Sequence, residues 1–442
     1  MGTGKNPAMW NMPTKKLASN SLWLLSERAA MMGQAFISGM LIARTFGPDD
    51  FGKLNFAIGF VQIFLFLSTL GIAPAVVKEL VQRPEDHSKI LGSAIVMRLA
   101  GFFLMAMVVI AACRIDGISG ESFHLILFIL FSGLGSALFS ISDAFEAEMK
   151  NGLAAPFCIG VNLLFFVLNC LGCYLRLPLL FFAFTNSAVL LCSAACKWLV
   201  YWRVSGHFPL QRADRKTMVQ IGKKSSWLFA QLALTTIAAN ISYPVLKKFC
   251  TDEVIGFYAV PAKIEISALV FAEVVAVSMF PVIIRASGRP EEFNIRLRRL
   301  YQIVFWTGAV AVLLAWFPGR FVIRLLYGPD FDEAGRLLWI AVMALPLNGL
   351  AQIFFRWCVI RRHEYAIVLQ TFISAAAILV CTVFLSRRYG CAGAVWSIFA
   401  ASAAQWIVLL FVSGDIRKHV LWMFCNLFRF GAGPRPEEGE GM

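Results

Sequence analysis

The chain has 442 residues, of which 59% are hydrophobic, 14% aromatic and 15% charged, with a mean hydropathy of +0.71. That composition excludes the set of about three soluble domains that length alone would suggest, because apolar runs of about 20 residues, each able to cross ~30 Å of hydrocarbon, recur along nearly the whole chain. The net charge of +14 does not point to nucleic acid, since the basic residues fall in short segments between the apolar runs, where the positive-inside rule puts them.

Residues 1–19 are polar, with Lys5, Lys15 and Lys16, and read as a cytoplasmic tail. Twelve membrane spans are expected to follow, over 20–43, 53–75, 90–113, 123–146, 153–175, 178–202, 222–246, 254–284, 300–318, 335–359, 364–386 and 391–413. The first run carries Glu27-Arg28 and has no Ala-x-Ala site, so it is expected to remain as a span rather than be cleaved as a signal peptide. The longest segment between spans, 203–221, is basic and divides the chain into two six-helix bundles, 20–202 and 222–413. Residues 414–442 read as a second cytoplasmic tail, Gly/Pro/Glu-rich at its end, with an aromatic face over 420–430 suited to the membrane interface. The fold class expected is an all-α integral membrane protein of about 12 transmembrane helices in two pseudo-symmetric bundles.

An even number of spans puts both termini on one side. Of the 40 Lys and Arg residues, 24 fall on the side of the termini and 11 on the other, which places both termini in the cytoplasm. The remaining five, Arg28, Arg98, Lys197, Lys263 and Arg356, fall within spans beyond their first three residues. Lys197 lies near a span end and is expected to snorkel. The other four need partners or water, because a charge in a membrane-crossing helix costs about 2.5–3.5 kcal/mol on insertion scales.

The two halves look related. Arg44-Thr-Phe-Gly-Pro-Asp-Asp-Phe-Gly52 follows the first span and Lys247-Lys-Phe-Cys-Thr-Asp-Glu-Val-Ile-Gly256 follows the seventh. With one inserted residue both read as base, Phe, turn formers, two acids, apolar, Gly. Leu326-Tyr-Gly-Pro-Asp330 repeats the Gly-Pro-Asp element. Internal repeats in a membrane protein are the usual mark of a transporter with its site between the halves, although Gly-Pro-Asp is also a generic turn.

Several stretches resemble the Wzx-type polysaccharide flippases. Ala43-Arg-Thr-Phe-Gly-Pro-Asp-Asp-Phe-Gly-Lys-Leu54 and Leu70-Gly-Ile-Ala-Pro-Ala-Val-Val-Lys-Glu79 look like that family's N-terminal signature. Ile255-Gly-Phe-Tyr-Ala-Val-Pro-Ala-Lys-Ile264 and Tyr389-Gly-Cys-Ala-Gly-Ala-Val-Trp396 resemble its eighth and twelfth spans. The superfamily, that of multidrug, oligosaccharidyl-lipid and polysaccharide transporters, also holds the multidrug extruders and lipid II flippases. The resemblance covers nearly the whole chain. It implies two bundles around a central cavity, alternating access, a polyprenyl-diphosphate-linked oligosaccharide of the undecaprenyl type as cargo, a bacterial inner-membrane location, and polysaccharide polymerase and chain-length proteins as partners.

A diphosphate head group wants guanidinium or ammonium groups that grip phosphate oxygens and still release them. Arg28, Arg98, Lys263 and Arg356 are therefore the expected substrate-binding residues. Glu27, Glu265 and Glu273 are the expected ion-coupling groups, since a carboxylate drawn out of water takes up a proton more readily. Glu265 and Glu273, eight residues apart, share a helix face within about 80°. The competing reading for all seven is structural pairing: Glu27 with Arg28, or Lys263 with a carboxylate one turn away. Asn162 and Asn240 read as interhelical hydrogen bonders. Pro244, Pro261, Pro281 and Pro346 read as sites of helix bending.

No enzyme is expected. Asp330-Phe-Asp332 matches the loose acidic pattern of metal-binding glycosyltransferases, but it sits in a turn with no sizeable soluble loop around it. No Gly-x-x-x-x-Gly-Lys-Ser/Thr occurs, so a phosphate loop for ATP is absent. Cys170/Cys173 and Cys192/Cys196 are closely spaced yet have no His or carboxylate cluster beside them, so neither a metal nor another cofactor is expected. The alternatives to a flippase are a small-molecule antiporter of the multidrug type, which four in-span cations disfavour, and a membrane-embedded glycan polymerase or ligase, which would need larger outer loops.

Overall fold

The computed structural model describes residues 14–206, 213–286, 289–361 and 363–429. Most of the N-terminal tail, 207–212 of the basic linker and the end of the C-terminal tail lie outside the described residues. The helices run, in order, α1 (Thr14–Ile63), α2 (Leu65–Thr69), α3 (Ala73–Gln82), α4 (His87–Ile115), α5 (Gly120–Leu138), α6 (Ser142–Ala147), α7 (Asn151–Tyr174), α8 (Leu179–Ser205), α9 (Arg215–Asn240), α10 (Ser242–Phe249), α11 (Asp252–Ala286), α12 (Pro290–Trp316), α13 (Gly319–Tyr327), α14 (Asp332–Val342), α15 (Leu345–Arg361), α16 (Glu364–Leu409) and α17 (Gly414–Asn426). No strand occurs among the described residues.

Among those residues nine helices are long and apolar enough to cross a membrane, or ten when the bent pair 329–342 and 345–361 counts as one span. The protein is a multi-pass membrane protein. Both figures take the 45 residues of 365–409 as one span. At 1.5 Å per residue that stretch would run to about 68 Å, twice the hydrocarbon thickness. Gly390, at φ 55°, breaks it in two. Gly47, at φ 79° and ψ −179°, breaks α1 in the same way. Divided at these two glycines, the helices follow the twelve expected spans approximately, although no helix before Leu65 is among the nine.

The Gly-Pro-Asp turns share one backbone device. Gly328 has φ 102° and ψ 171°, close to Gly47, in a region that residues with a Cβ essentially do not enter. The proline after each glycine lies in the helical turn that follows, Pro48 inside α1 and Pro329 at the start of a short 3-10 turn. Each turn related in sequence is also closed by an ion pair. Lys53 holds Asp49 at 2.8 Å and Asp50 at 2.9 Å, Lys247 holds Asp252, and Arg320 grips Asp332 with two 2.6 Å bonds. Asp332 is thereby engaged as a salt-bridge partner within the Asp330-Phe-Asp332 stretch.

Two of the four prolines coincide with breaks. α9 ends at Asn240 and α14 at Val342, each four residues before Pro244 or Pro346, which have no N–H to return to those carbonyls. The bend between the α14 and α15 segments is 41°. α11 runs unbroken past Pro261.

The chain forms two compact units, Met1–Tyr243 and Pro244–Met442. In the first, Ile72, Val76, Leu91, Ile95, Ile141, Phe145 and Ile221 share one core. Gly101 lets α4 lie directly on α2: a Cβ there would sit 2.1 Å from the carbonyl oxygen of Leu67. α9, the seventh expected span, groups with this unit. Ser93 on α4 exchanges hydrogen bonds with the backbone of Asp214, Lys224 pairs with Glu79, and Phe229 meets Phe66 edge-on at 5.4 Å. In the second unit Leu300, Ile353, Phe354, Trp406, Val420 and Met423 lie in one core. α17 is part of it, so the start of the expected C-terminal tail is a packed helix.

Candidate functional site

Charge is concentrated at one place inside the first unit. Lys197 on α8 is 1% exposed. Its Nζ lies 2.8 Å from an oxygen of Glu27 on α1, donates to Ser142 Oγ at 2.9 Å, and stands 4.1 Å from the centre of the Phe139 ring. Beside Ser142, the Asp143 carboxylate accepts a 2.8 Å bond from the Arg98 guanidinium on α4. Glu27, Arg98 and Asp143 are buried as well. Two cations and two carboxylates on α1, α4, α6 and α8 thus form a neutral buried group. Each ion has its countercharge, as low-dielectric surroundings demand.

This arrangement differs from what the sequence suggests. Lys197 does not snorkel, since its ammonium points into the bundle and is sealed there. Glu27 pairs with Lys197 rather than with its neighbour Arg28, because adjacent residues on a helix point about 100° apart. Arg28 is exposed. Asp143 is a member that sequence reading passed over. The signal for it was a carboxylate three residues inside the end of the span expected over 123–146, while Arg98 in another span needed a partner. Asn162 donates back to the carbonyl of Cys158 and Asn240 to that of Thr236, both within their own helices. Interhelical amides in this unit include Asn169, which donates to Ser38 on α1 at 3.2 Å and accepts from Thr185 on α8 at 2.8 Å.

The second unit holds a different group. Glu265 on α11 is buried and accepts a 2.9 Å bond from the Asn348 amide on α15. Gln405 on α16 donates to Asn348 Oδ1 at 3.2 Å. A carboxylate, an amide and a second amide therefore connect three helices. Lys263, two residues before Glu265, is half-buried. Further along, the half-buried Arg356 donates to the Gln352 carbonyl and lies within electrostatic reach of Glu273. The structure therefore brings Glu27 and Arg98 into one network and Glu273 near Arg356, and it gives Glu265 an amide partner. Among the described residues no three His, Cys, Asp or Glu side chains converge as a metal site would require.

Residues 17–287 match the family described as polysaccharide biosynthesis protein, which is more than half of the chain. The chain belongs to that family. It is 22% identical over 382 residues to the capsular polysaccharide biosynthesis protein CapF of Staphylococcus aureus, an alignment that covers 85% of this chain and 93% of that one. The fold is similar to that of the lipid II flippase MurJ in its inward closed conformation, with a TM-score of 0.69 at 16% identity over 93% of this chain and 91% of that one. It is similar too to an inward-facing multidrug-resistance MATE family transporter of the MOP superfamily, with a TM-score of 0.68 at 13% identity over 89% and 95%. The fold is thus one shared with these solved transporters.

Proposed function

We propose that this family member carries a polyprenyl-diphosphate-linked oligosaccharide repeat unit across the bacterial cytoplasmic membrane by alternating access, for surface polysaccharide synthesis. The observation that carries the reading is a conjunction: a polysaccharide biosynthesis match over 17–287 in a chain that shares its fold, along 93% of its length, with a lipid II flippase. Both termini lie in the cytoplasm on this reading, in line with the Lys/Arg asymmetry. The protein is a carrier rather than an enzyme, and a polymerase and chain-length proteins take over its cargo.

The in-span cations divide by their surroundings. Arg28 on α1 is exposed and Lys263 on α11 is half-buried, and each is proposed as a diphosphate contact within its own unit. Arg98 is held by Asp143, so phosphate would reach it only by displacing that carboxylate. Arg356 is half-buried and bonded to the Gln352 carbonyl. Glu265, buried against an amide, is the best placed of the three carboxylates to take up and release a coupling ion. Glu27 is committed to Lys197 and Glu273 lies close to Arg356.

The test is the sidedness of lipid-linked oligosaccharide in cells lacking the gene, compared with cells in which it is restored. Complete repeat units trapped on the cytoplasmic side support the proposal. Units that reach the outer leaflet but fail to polymerise would favour a polymerase. Unchanged pools would favour a small-molecule antiporter, the activity suggested by the MATE-like fold.

A further inference from the structure

α17 lies at the membrane end of three spans. It follows the last span after four residues, 410–413. Ser413 caps it, accepting the N–H of Ile416 at 3.3 Å. One face is locked into the bundle. The His419 ring stacks on Trp357 with centroids 3.8 Å apart and planes 5° from parallel, and its Nε2 lies 3.1 Å from the Tyr301 hydroxyl. Ile416, Val420 and Met423 are buried on the same side. Beyond the helix, Gln302 and Trp306 on α12 donate to the carbonyls of Asn426 and Leu427. Tyr301 and Trp357 sit at the ends of the expected spans 300–318 and 335–359. On those expected span ends, a helix fixed between them comes at the depth of the lipid headgroups.

The opposite face has its own pattern. Arg417, Leu421, Cys425 and Lys418 fall, in that order, within an arc of about 100°, and all four are exposed. Leu421 is 49% and Phe428 62% exposed, with Phe428 leaning on Phe305 and Trp306. Arg429 follows, also exposed. The face therefore has an apolar centre flanked by cations, the layout of a helix that lies in a membrane surface. The side chains at its centre enter the acyl boundary while its bases reach outward to phosphate. Asp415, the acid of this helix, falls outside the arc.

We propose that this outer face of α17 is a docking surface for anionic phospholipid headgroups of the adjacent leaflet. Charge complementarity and continuity with the last span select a lipid over a soluble partner. The lipid would press α17 onto Tyr301 and Trp357 and so tie the ends of α12, α15 and α16 together.

The test uses the full-length protein in nanodiscs of phosphatidylcholine alone or in equal mixture with phosphatidylglycerol. The readouts are retained lipids by native mass spectrometry and thermal melting. The wild type should retain phosphatidylglycerol preferentially and melt higher in its presence. R417Q/K418Q/R429Q should lose that preference by about fivefold per base removed, from the usual attraction of one Lys or Arg to an anionic surface, while melting normally in phosphatidylcholine. If the triple variant fails to fold, K418Q alone should show the single fivefold loss. R417K/R429K keeps the charge and should retain the lipid. Equal retention of both lipids by the wild type, or unchanged retention by the triple variant, overturns the proposal. So does a dimer that dissociates on L421S/F428S, which would make the face an interface between copies.

Discussion

Lys197→Met is the sharpest probe of the buried charge network. The substitution keeps the chain length of the side chain and removes the ammonium. Glu27 loses an ion-pair partner at 2.8 Å and Ser142 loses its donor at 2.9 Å, while Arg98 and Asp143 remain a neutral pair. The site is closed to water, so the abandoned carboxylate cannot be solvated in place. Removing one partner of such a buried pair costs about 3–5 kcal/mol. The double change Glu27→Leu with Lys197→Met removes both charges and inserts apolar groups of similar size. It should recover most of the loss, because a well-packed apolar pair is often neutral or better than the ions it replaces. The assay is denaturant unfolding of the two singles and the double in mild detergent, read as a double-mutant cycle. A cost under about 1 kcal/mol for Lys197→Met, the range of solvent-exposed pairs, would refute the buried network.

Arg28→Ala should reduce appearance of lipid-linked oligosaccharide at the outer leaflet while leaving the amount of protein in the membrane near normal. Normal transport would remove Arg28 from the anion site, and loss of protein would make it structural. Gly101→Ala should destabilise the first unit by about 1–3 kcal/mol from overpacking, since its Cβ would meet the Leu67 carbonyl oxygen at 2.1 Å; an unchanged melting curve would show that α2 and α4 can part at little cost. Gly47→Ala should cost about 1–3 kcal/mol through backbone strain alone, with melting again the readout. His419 gives a pH dependence. Burial among the rings, and then the charge of Arg361, hold its imidazole down at about 3, below the ordinary value of about 6.5. The unfolded or undocked segment binds the proton first, so docking is at full strength above about pH 6.5 and weakens as pH falls towards 3. At pH 5 the loss is roughly 2 kcal/mol. Hydrogen exchange over 414–426, corrected for intrinsic rates, should speed up between pH 7 and pH 5; equal protection at both would contradict the buried neutral ring.

Hydropathy and turn chemistry decided much of this protein before any helix was packed. Twelve apolar runs must become helices in a membrane, because a backbone in hydrocarbon has to satisfy its own hydrogen bonds. Gly47 and Gly328 had to be glycine for a backbone region closed to other residues. Charge inside the spans marked Arg98 as a residue that needs a partner and offered structural pairing as one reading of Glu27. Which partner each has was not legible, because helix rotation changes by about 100° per residue and a sequence does not fix it to that precision. Tertiary structure turned Glu27 to Lys197 instead of Arg28, buried a lysine expected to reach for water, and supplied Asp143 to Arg98. It also set α9 against α4 through Ser93 and Asp214, and seated α17 on Tyr301 and Trp357. The physical reason is the same in each case. Local sequence sets how far a segment enters the membrane and where it turns, whereas the direction a side chain faces is set by the neighbouring helices that close around it.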